Sequence, residues 1–214
     1  MRTTQIKILI VDDHMVVREG LKRILADVED IQVQAEAGNS VEALALLRER
    51  DFDLVLLDLS LPGRTGLELL RMIKDEQPKL PVLVLSAYSE DQYAIRALKD
   101  GADGFLNKQS APELLVNAIR KVAAGGKYVS AEMAERLAQE IGGRSDKPLH
   151  EALSDREFMV LKMIASGKNL NQIAETLCIS PKTVSTYRAR IIEKTGLQTN
   201  AELIRYALEQ QLLN

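Results

Sequence analysis

Apolar positions along this chain follow two rhythms. In the first part, short unbroken apolar runs alternate with amphipathic stretches; from Leu153 onward every segment has the helical period. Leu54-Val55-Leu56-Leu57, bounded by Asp53 and Asp58, is too short for a buried helix. It reads as a strand covered on both faces, as in a parallel sheet. The same pattern predicts strands over Ile6–Val11, Ile31–Ala37, Pro81–Ala87 and Gly104–Lys108. Helices fall between them. His14–Ala26 puts Val17, Leu21, Ile24 and Leu25 on one stripe, with Arg18, Glu19, Lys22 and Arg23 outside. Val41–Arg48 follows Asn39, a good N-cap, and Gly66–Lys74 and Gln92–Lys99 are the next two. Ser110-Ala111-Pro112-Glu113 reads as a capping box opening a helix to about Ala123.

Strands and helices alternating at short loop lengths predict an α/β fold over residues 5–125: a doubly wound five-stranded parallel sheet with helices on both faces. The order 2-1-3-4-5, common for this count and flavodoxin-like, sets strands 1 and 3 side by side at the switch point. Gly125-Gly126 closes this module. Ser130–Ile141 is predicted as a connecting helix and residues 142–148 as a flexible linker, so residues 126–149 form the connection. Residues 150–214 are predicted as a smaller all-α domain. Ser154-Asp155-Arg156-Glu157 is a capping box for a helix to Ala165, and Asn169–Leu177 is the second helix. Cys178-Ile179 is a turn, Ser180-Pro181 starts a third helix to Lys194, and Thr199–Leu208 is the fourth. Cys178 reads as core.

Composition narrows the classes. At 46% hydrophobic and 28% charged the chain is globular, no apolar run has membrane-spanning length, and Met1–Gln5 lacks a signal-peptide core. One cysteine excludes an internal disulfide, which fits a cytoplasmic protein. Net charge is −3, yet residues 150–214 carry 8 basic against 7 acidic side chains, which points to two modules with different partners. Aromatics at 4% argue against stacking platforms for single-stranded nucleic acid.

The chemistry gathers at the predicted C-terminal strand tips. Asp12, Asp13 and Asp58 are carboxylates on strands 1 and 3 that repel one another unless a cation lies among them, and hard oxygen ligands suit Mg²⁺. Asp58 reads as a carboxylate that accepts a phosphoryl group held by that charge. Ser86 ends strand 4 with a hydroxyl donor, and Lys108 ends strand 5 with an ammonium for phosphate. Singly, each reads as a turn former or cap; five on four tips of one sheet do not. His14 reads as a helix-start residue rather than a ligand, and His150 as linker without a role.

Residues 6–124 resemble the receiver domain of two-component response regulators, through Asp12-Asp13, Asp58, Ser86, Phe105 and Lys108. The resemblance implies phosphoryl transfer from a histidine kinase to Asp58. It also implies Mg²⁺ held by Asp13, Asp58 and the Ser60 backbone carbonyl, with Asp12 acting partly through water. Ser86 and Phe105 would be the switch pair. Phe105 replaces a frequent Tyr, and Gln109 a frequent Pro.

The third predicted helix of the second domain carries Lys182, Arg188, Arg190 and Lys194. Val184, Ile191 and Tyr187 pin it to the bundle, leaving Lys182, Ser185, Thr186, Arg188 and Arg190 toward solvent. Two helices about a short turn are a helix-turn-helix, and these five residues together with Lys194 are its candidate contacts to double-stranded DNA. This domain resembles the LuxR-type DNA-binding domain, with Tyr187 where many relatives have His and Ser185 where Lys is frequent. The whole resembles the NarL/FixJ class of transcription factors. That implies a phosphoacceptor rather than an enzyme, a homodimer when phosphorylated, and operator binding strengthened by a coupling of about 1–3 kcal/mol. A Mg²⁺-dependent phosphohydrolase is the enzymatic rival, but it would place its acids two residues apart on the first strand. A binding-only regulator would not need all five tip residues.

Overall fold

The computed structural model describes residues 5–62, 65–86, 90–131, 133–135, 148–210 and 212–213. The chain forms two compact units, Met1–Gln139 and Glu140–Asn214, so the division falls inside the predicted connection.

In the first unit, strands β1 (Ile6–Val11), β2 (Ile31–Ala37), β3 (Leu54–Asp58), β4 (Val82–Ser86) and β5 (Gly104–Asn107) form one parallel sheet in the order β2-β1-β3-β4-β5. Helices α1 (Met15–Ala26), α2 (Ser40–Glu49), α3 (Gly66–Glu76), α4 (Glu90–Lys99) and α5 (Pro112–Ala123) alternate with them. Each boundary lies within a residue or two of the predicted one, the usual play at element ends. One face of the sheet offers Ile8, Ile10, Leu54, Leu56, Leu83 and Leu85 to Leu21 and Leu25 of α1 and Leu115, Ile119 and Val122 of α5. The alternate residues Leu9, Val55, Leu57 and Val84 point the other way and are equally buried. Burial on both faces is why β3 and β4 read as unbroken apolar runs, each such side chain contributing roughly 1.5–3 kcal/mol.

Helix starts decide where the loops go. The Asn39 side chain accepts from the Val41 and Glu42 amides, as its position predicts. The capping box expected at Ser110–Glu113 does not form. Proline takes the first helical position, so Ala111 is the N-cap without a side-chain hydrogen bond, and the Ser110 amide donates to the Asn107 carbonyl in a turn. A capping box does open α3, where Thr65 accepts from the Glu68 amide and Glu68 returns to the Thr65 amide.

Beyond α5 the chain returns to the sheet. The Phe105 amide donates to the Tyr128 carbonyl (2.9 Å) and the Tyr128 amide to the Asp103 carbonyl (3.0 Å), covering the outer edge of β5. Gly104 permits that approach, since a Cβ there would sit 2.9 Å from the Tyr128 oxygen. Ala131 and residues 133–135 are helical, and Met133 is buried. The remainder of the predicted connecting helix and residues 142–147 of the predicted linker lie outside the described residues.

The second unit begins with a 3-10 turn (Leu149–Ala152), followed by α6 (Asp155–Ala165), α7 (Leu170–Leu177), α8 (Pro181–Thr195) and α9 (Asn200–Glu209). Phe158, Leu161, Ile173, Val184, Ile191 and Leu203 form its core. Two expectations fail here. His150 is not linker: its ring is buried, with Nδ1 2.8 Å from the Tyr206 hydroxyl and its centroid 5.7 Å from that of Phe158. Cys178 is exposed rather than core, because it takes the left-handed C-cap of α7 (φ 53°), one position past the last inward residue, Leu177. No helix among the described residues is long and apolar enough to cross a membrane.

Candidate functional site

Asp12 follows the last residue of β1 and Asp58 closes β3; the strands run in register, with Val11 beside Leu57. Parallel strands in register bring both carboxylates to one rim, where they are 2% and 1% exposed. Asp13 stands at the opening, and Lys108 enters from the end of β5. Its ammonium lies 2.6 Å from Asp12 Oδ2 and 2.8 Å from Asp58 Oδ2. Ser86 is buried at the tip of β4, its carbonyl accepting from the Lys108 amide at 2.8 Å, which fixes where the lysine leaves the sheet. Phe105 is buried next to Val84. The five tip residues read from the sequence therefore meet at one rim.

One ammonium faces two buried carboxylates, and the electrostatics follow. Burial pushes the Asp58 carboxyl above its ordinary range; the hydrogen bond and charge of Lys108 oppose this, the charge of Asp12 adds to it, and the Ser60 amide opposes it weakly. Burial works against the charged Lys108, but its hydrogen bonds to Asp12 and Asp58 hold its pKa above the usual lysine value. Lysine stays charged while Asp58 remains short of compensation. No hydrogen bond of good geometry reaches Asp58 Oδ1. Ligand atoms of Asp12, Asp13, His14 and Asp58 all lie within 4.8 Å of one another. Oxygen donors this close, with a buried oxygen left over, make an acidic pocket that fits Mg²⁺. His14 belongs to this group although its sequence position suggested only a helix start. It is also the N-cap of α1, but makes no side-chain cap hydrogen bond.

Two residues that position the site were not singled out from the sequence as site residues. Thr65 fixes the start of α3 behind the β3–α3 loop. Gly66 lies against the backbone at the end of β3: a Cβ there would sit 2.2 Å from the Asp58 carbonyl oxygen and 2.5 Å from Leu59 Cα. The available signal was Thr65-Gly66-Leu67-Glu68, a capping box with glycine at its first helical position.

In the second unit, Leu177, Cys178 and Ser180 turn the chain from α7 into α8, where Ser180 accepts from the Thr183 amide. Lys182, Ser185, Thr186 and Arg190 are exposed on α8, opposite the buried Val184 and Ile191. The Ser185 and Thr186 hydroxyls donate to the Pro181 and Lys182 carbonyls of their own helix, leaving their acceptor capacity outward. Arg188 is half-buried, and its Nε donates to Asn200 Oδ1 at 2.9 Å. Lys194 departs from the predicted face: its ammonium lies 2.6 Å from Oε2 of the buried Glu157. It braces α8 on α6.

Burial works to raise the Glu157 pKa, but the hydrogen bonds from Lys194 and Ser154 outweigh it and hold the carboxyl below its usual value. An acid whose folded pKa is depressed stabilises the fold above its unfolded pKa, and that contribution fades as pH falls through the folded value. Lys194→Met is expected to destabilise this unit by about 2 kcal/mol at neutral pH. In urea unfolding followed against pH, the gap to the parent should close on the acid side of the carboxylate range.

Comparison with known proteins agrees with this geometry. Residues 8–120 match the response regulator receiver domain, and residues 151–207 match the luxR family of bacterial regulatory proteins. The response regulator GacA of Pseudomonas aeruginosa is 39% identical over 211 residues, spanning 98% of both chains. The response regulator UvrY of Escherichia coli K12 is 36% identical, over 98% of this chain and 96% of its own. RcsB from Salmonella enterica serovar Typhimurium, solved bound to promoter rprA in the presence of the phosphomimetic BeF3-, is 29% identical with a TM-score of 0.64, covering 94% of this chain and 98% of RcsB. A receiver sheet with its acids, ammonium and hydroxyl at one rim, joined to a LuxR-type helix-turn-helix, thus places this chain in the NarL/FixJ class of response regulators.

Proposed function

We propose that Asp58 accepts a phosphoryl group from a phosphohistidine of a sensor histidine kinase, and that this favours a homodimer gripping double-stranded DNA. The observation that carries the reading is the buried Asp58 carboxylate at the tip of β3, 2.8 Å from the Lys108 ammonium and grouped with Asp12 and Asp13. An Asp58 oxygen attacks phosphorus as the bond to the donor imidazole breaks, so the chain is a stoichiometric phosphoacceptor rather than a turnover enzyme. Lys108 then pairs with the phosphoryl oxygens, and the Ser86 hydroxyl donates to another. Phe105 takes up the space that Ser86 leaves, which reshapes the faces around α4 and α5. Asp12, Asp13, Asp58 and the Ser60 carbonyl would hold Mg²⁺, which when bound offsets the negative charge of pocket and phosphoryl group.

In the second unit α8 is the recognition helix. Lys182, Ser185, Thr186, Arg188 and Arg190 are the contacts to bases and phosphates; Lys194 supports the helix instead. The RcsB structure on promoter DNA supports a DNA partner. A cytoplasmic location follows from that partner.

The test is incubation of the full chain with Mg²⁺ and a small acyl phosphate, with intact mass and binding to a selected duplex pool as readouts. The expected result is one phosphoryl group per chain and DNA affinity raised between about 5- and 150-fold. An unmodified chain, or DNA affinity indifferent to the donor, would overturn the reading. On the same duplex, Lys182→Ala should weaken binding to all sequences alike and make the salt dependence shallower by about one unit of slope.

A further inference from the structure

We propose that His14 makes the acidic pocket a mixed oxygen–nitrogen site, open to borderline divalent ions such as Co²⁺ and Ni²⁺ as well as Mg²⁺. The inference rests on the pocket proposed above and names a ligand that a magnesium site does not need. His14 Nδ1 lies 2.8 Å from Asp13 Oδ1 and 3.3 Å from Asp12 Oδ1, and falls within the 4.8 Å grouping that includes Asp58. Its place is set by backbone, since the His14 amide donates to Asp12 Oδ1 at 2.8 Å. Asp58 is 1% exposed and its Oδ1 accepts no hydrogen bond of good geometry, which points to a cation among these groups rather than to solvated acids.

Coordination through Nδ1 requires the neutral ring proton to sit on Nε2. The ring is 61% exposed, so water can serve that proton at little cost. Imidazole nitrogen adds little for Mg²⁺, a hard ion that favours oxygen and retains its water. It adds more for borderline ions, and increasingly along the series from Mn²⁺ through Co²⁺ to Ni²⁺. His14 is therefore a selectivity residue of the pocket.

His14→Ala removes the nitrogen without removing a helix cap, since no side-chain cap bond exists to lose. The experiment measures Mg²⁺, Mn²⁺, Co²⁺ and Ni²⁺ affinities of the full-length parent and His14→Ala by calorimetry. It also records the visible absorption of bound Co²⁺ and its displacement by Mg²⁺. The expected result is a loss of about tenfold or more for Co²⁺ and Ni²⁺, less for Mn²⁺, and Mg²⁺ affinity within about twofold of the parent. The Co²⁺ spectrum should shift on losing a nitrogen ligand, and Mg²⁺ should displace Co²⁺ competitively. Equal losses for Mg²⁺ and Co²⁺, an unchanged Co²⁺ spectrum, or Co²⁺ that Mg²⁺ cannot displace would each overturn the role of His14 while leaving the magnesium pocket intact. A parent chain that binds neither ion would overturn the pocket as well.

Discussion

Asp58→Asn is expected to abolish phosphoryl uptake and donor-stimulated DNA binding while leaving the fold more stable than the parent at neutral pH. The loss is complete because an amide at the tip of β3 has no anionic oxygen to attack phosphorus, and the strand offers no substitute at that rim. The gain in stability follows from the local charge. Asp12 and Asp58 share one ammonium in a pocket where they are 2% and 1% exposed, so one negative charge lies buried without full compensation. Asparagine removes that charge, and Lys108 keeps Asp12 as its partner.

The pH dependence fixes the sign. The folded Asp58 pKa is raised above the ordinary carboxylate value, with burial the largest cause. Between the unfolded and folded values the native state therefore binds more protons than the unfolded chain, and stability falls as pH rises through that window. Parent and variant should be nearly equally stable below the window, and the variant should be the more stable of the two above it. Urea unfolding midpoints across the acid range, taken without divalent ions, give the comparison. A variant less stable than the parent at neutral pH would show that Asp58 is already compensated. Uptake of phosphate by the variant would move the acceptor to another residue.

How much of this was legible in the sequence varied with the physics behind each signal. The sheet was, because strands buried on both faces must be apolar at every position, and Leu54–Leu57 and Val82–Leu85 carry no competing pattern. The rim followed, since parallel strands in register put Asp12, Asp58, Ser86 and Lys108 at the same end. Local competition was harder to read. Ser110-Ala111-Pro112-Glu113 has the spacing of a capping box, but proline lacks the amide hydrogen and occupies the first helical position, which moves the cap to Ala111. Lys194 has the period of the recognition face, yet its four-carbon stem reaches Glu157, whose burial depends on the packing of α6 against α8. His150 precedes the capping box at Ser154 and looked like linker; a partner 56 residues away, Tyr206, decides its burial. Cys178 fails for a backbone reason, since a left-handed residue aims its side chain away from the stripe to which its neighbours belong.

Gly66→Ala should cost the first unit about 3 kcal/mol, the upper end of what overpacking usually takes, and should also impair phosphoryl uptake. Propensity alone argues the other way: alanine for glycine within a helix gains roughly 1 kcal/mol. Sterics win because the methyl group would meet backbone, with the Asp58 carbonyl oxygen at 2.2 Å and Leu59 Cα at 2.5 Å, and neither can rotate aside. Relief requires moving α3 or the end of β3. Either motion disturbs Asp58, the Ser60 amide beside it, and the bond from the Gly66 amide to the Leu59 carbonyl (3.0 Å). Thr65→Ala provides the contrast. It deletes the side-chain acceptor of the α3 capping box, yet caps of this kind are worth about 1 kcal/mol, and the loop can keep its path. The glycine variant, which removes no hydrogen-bonding group, should therefore be the more damaged of the two in both unfolding midpoint and phosphorylation rate. The reverse ranking would mean that α3 is free to slide over β3, and that the acceptor strand is positioned from its other side, by β1 and β4.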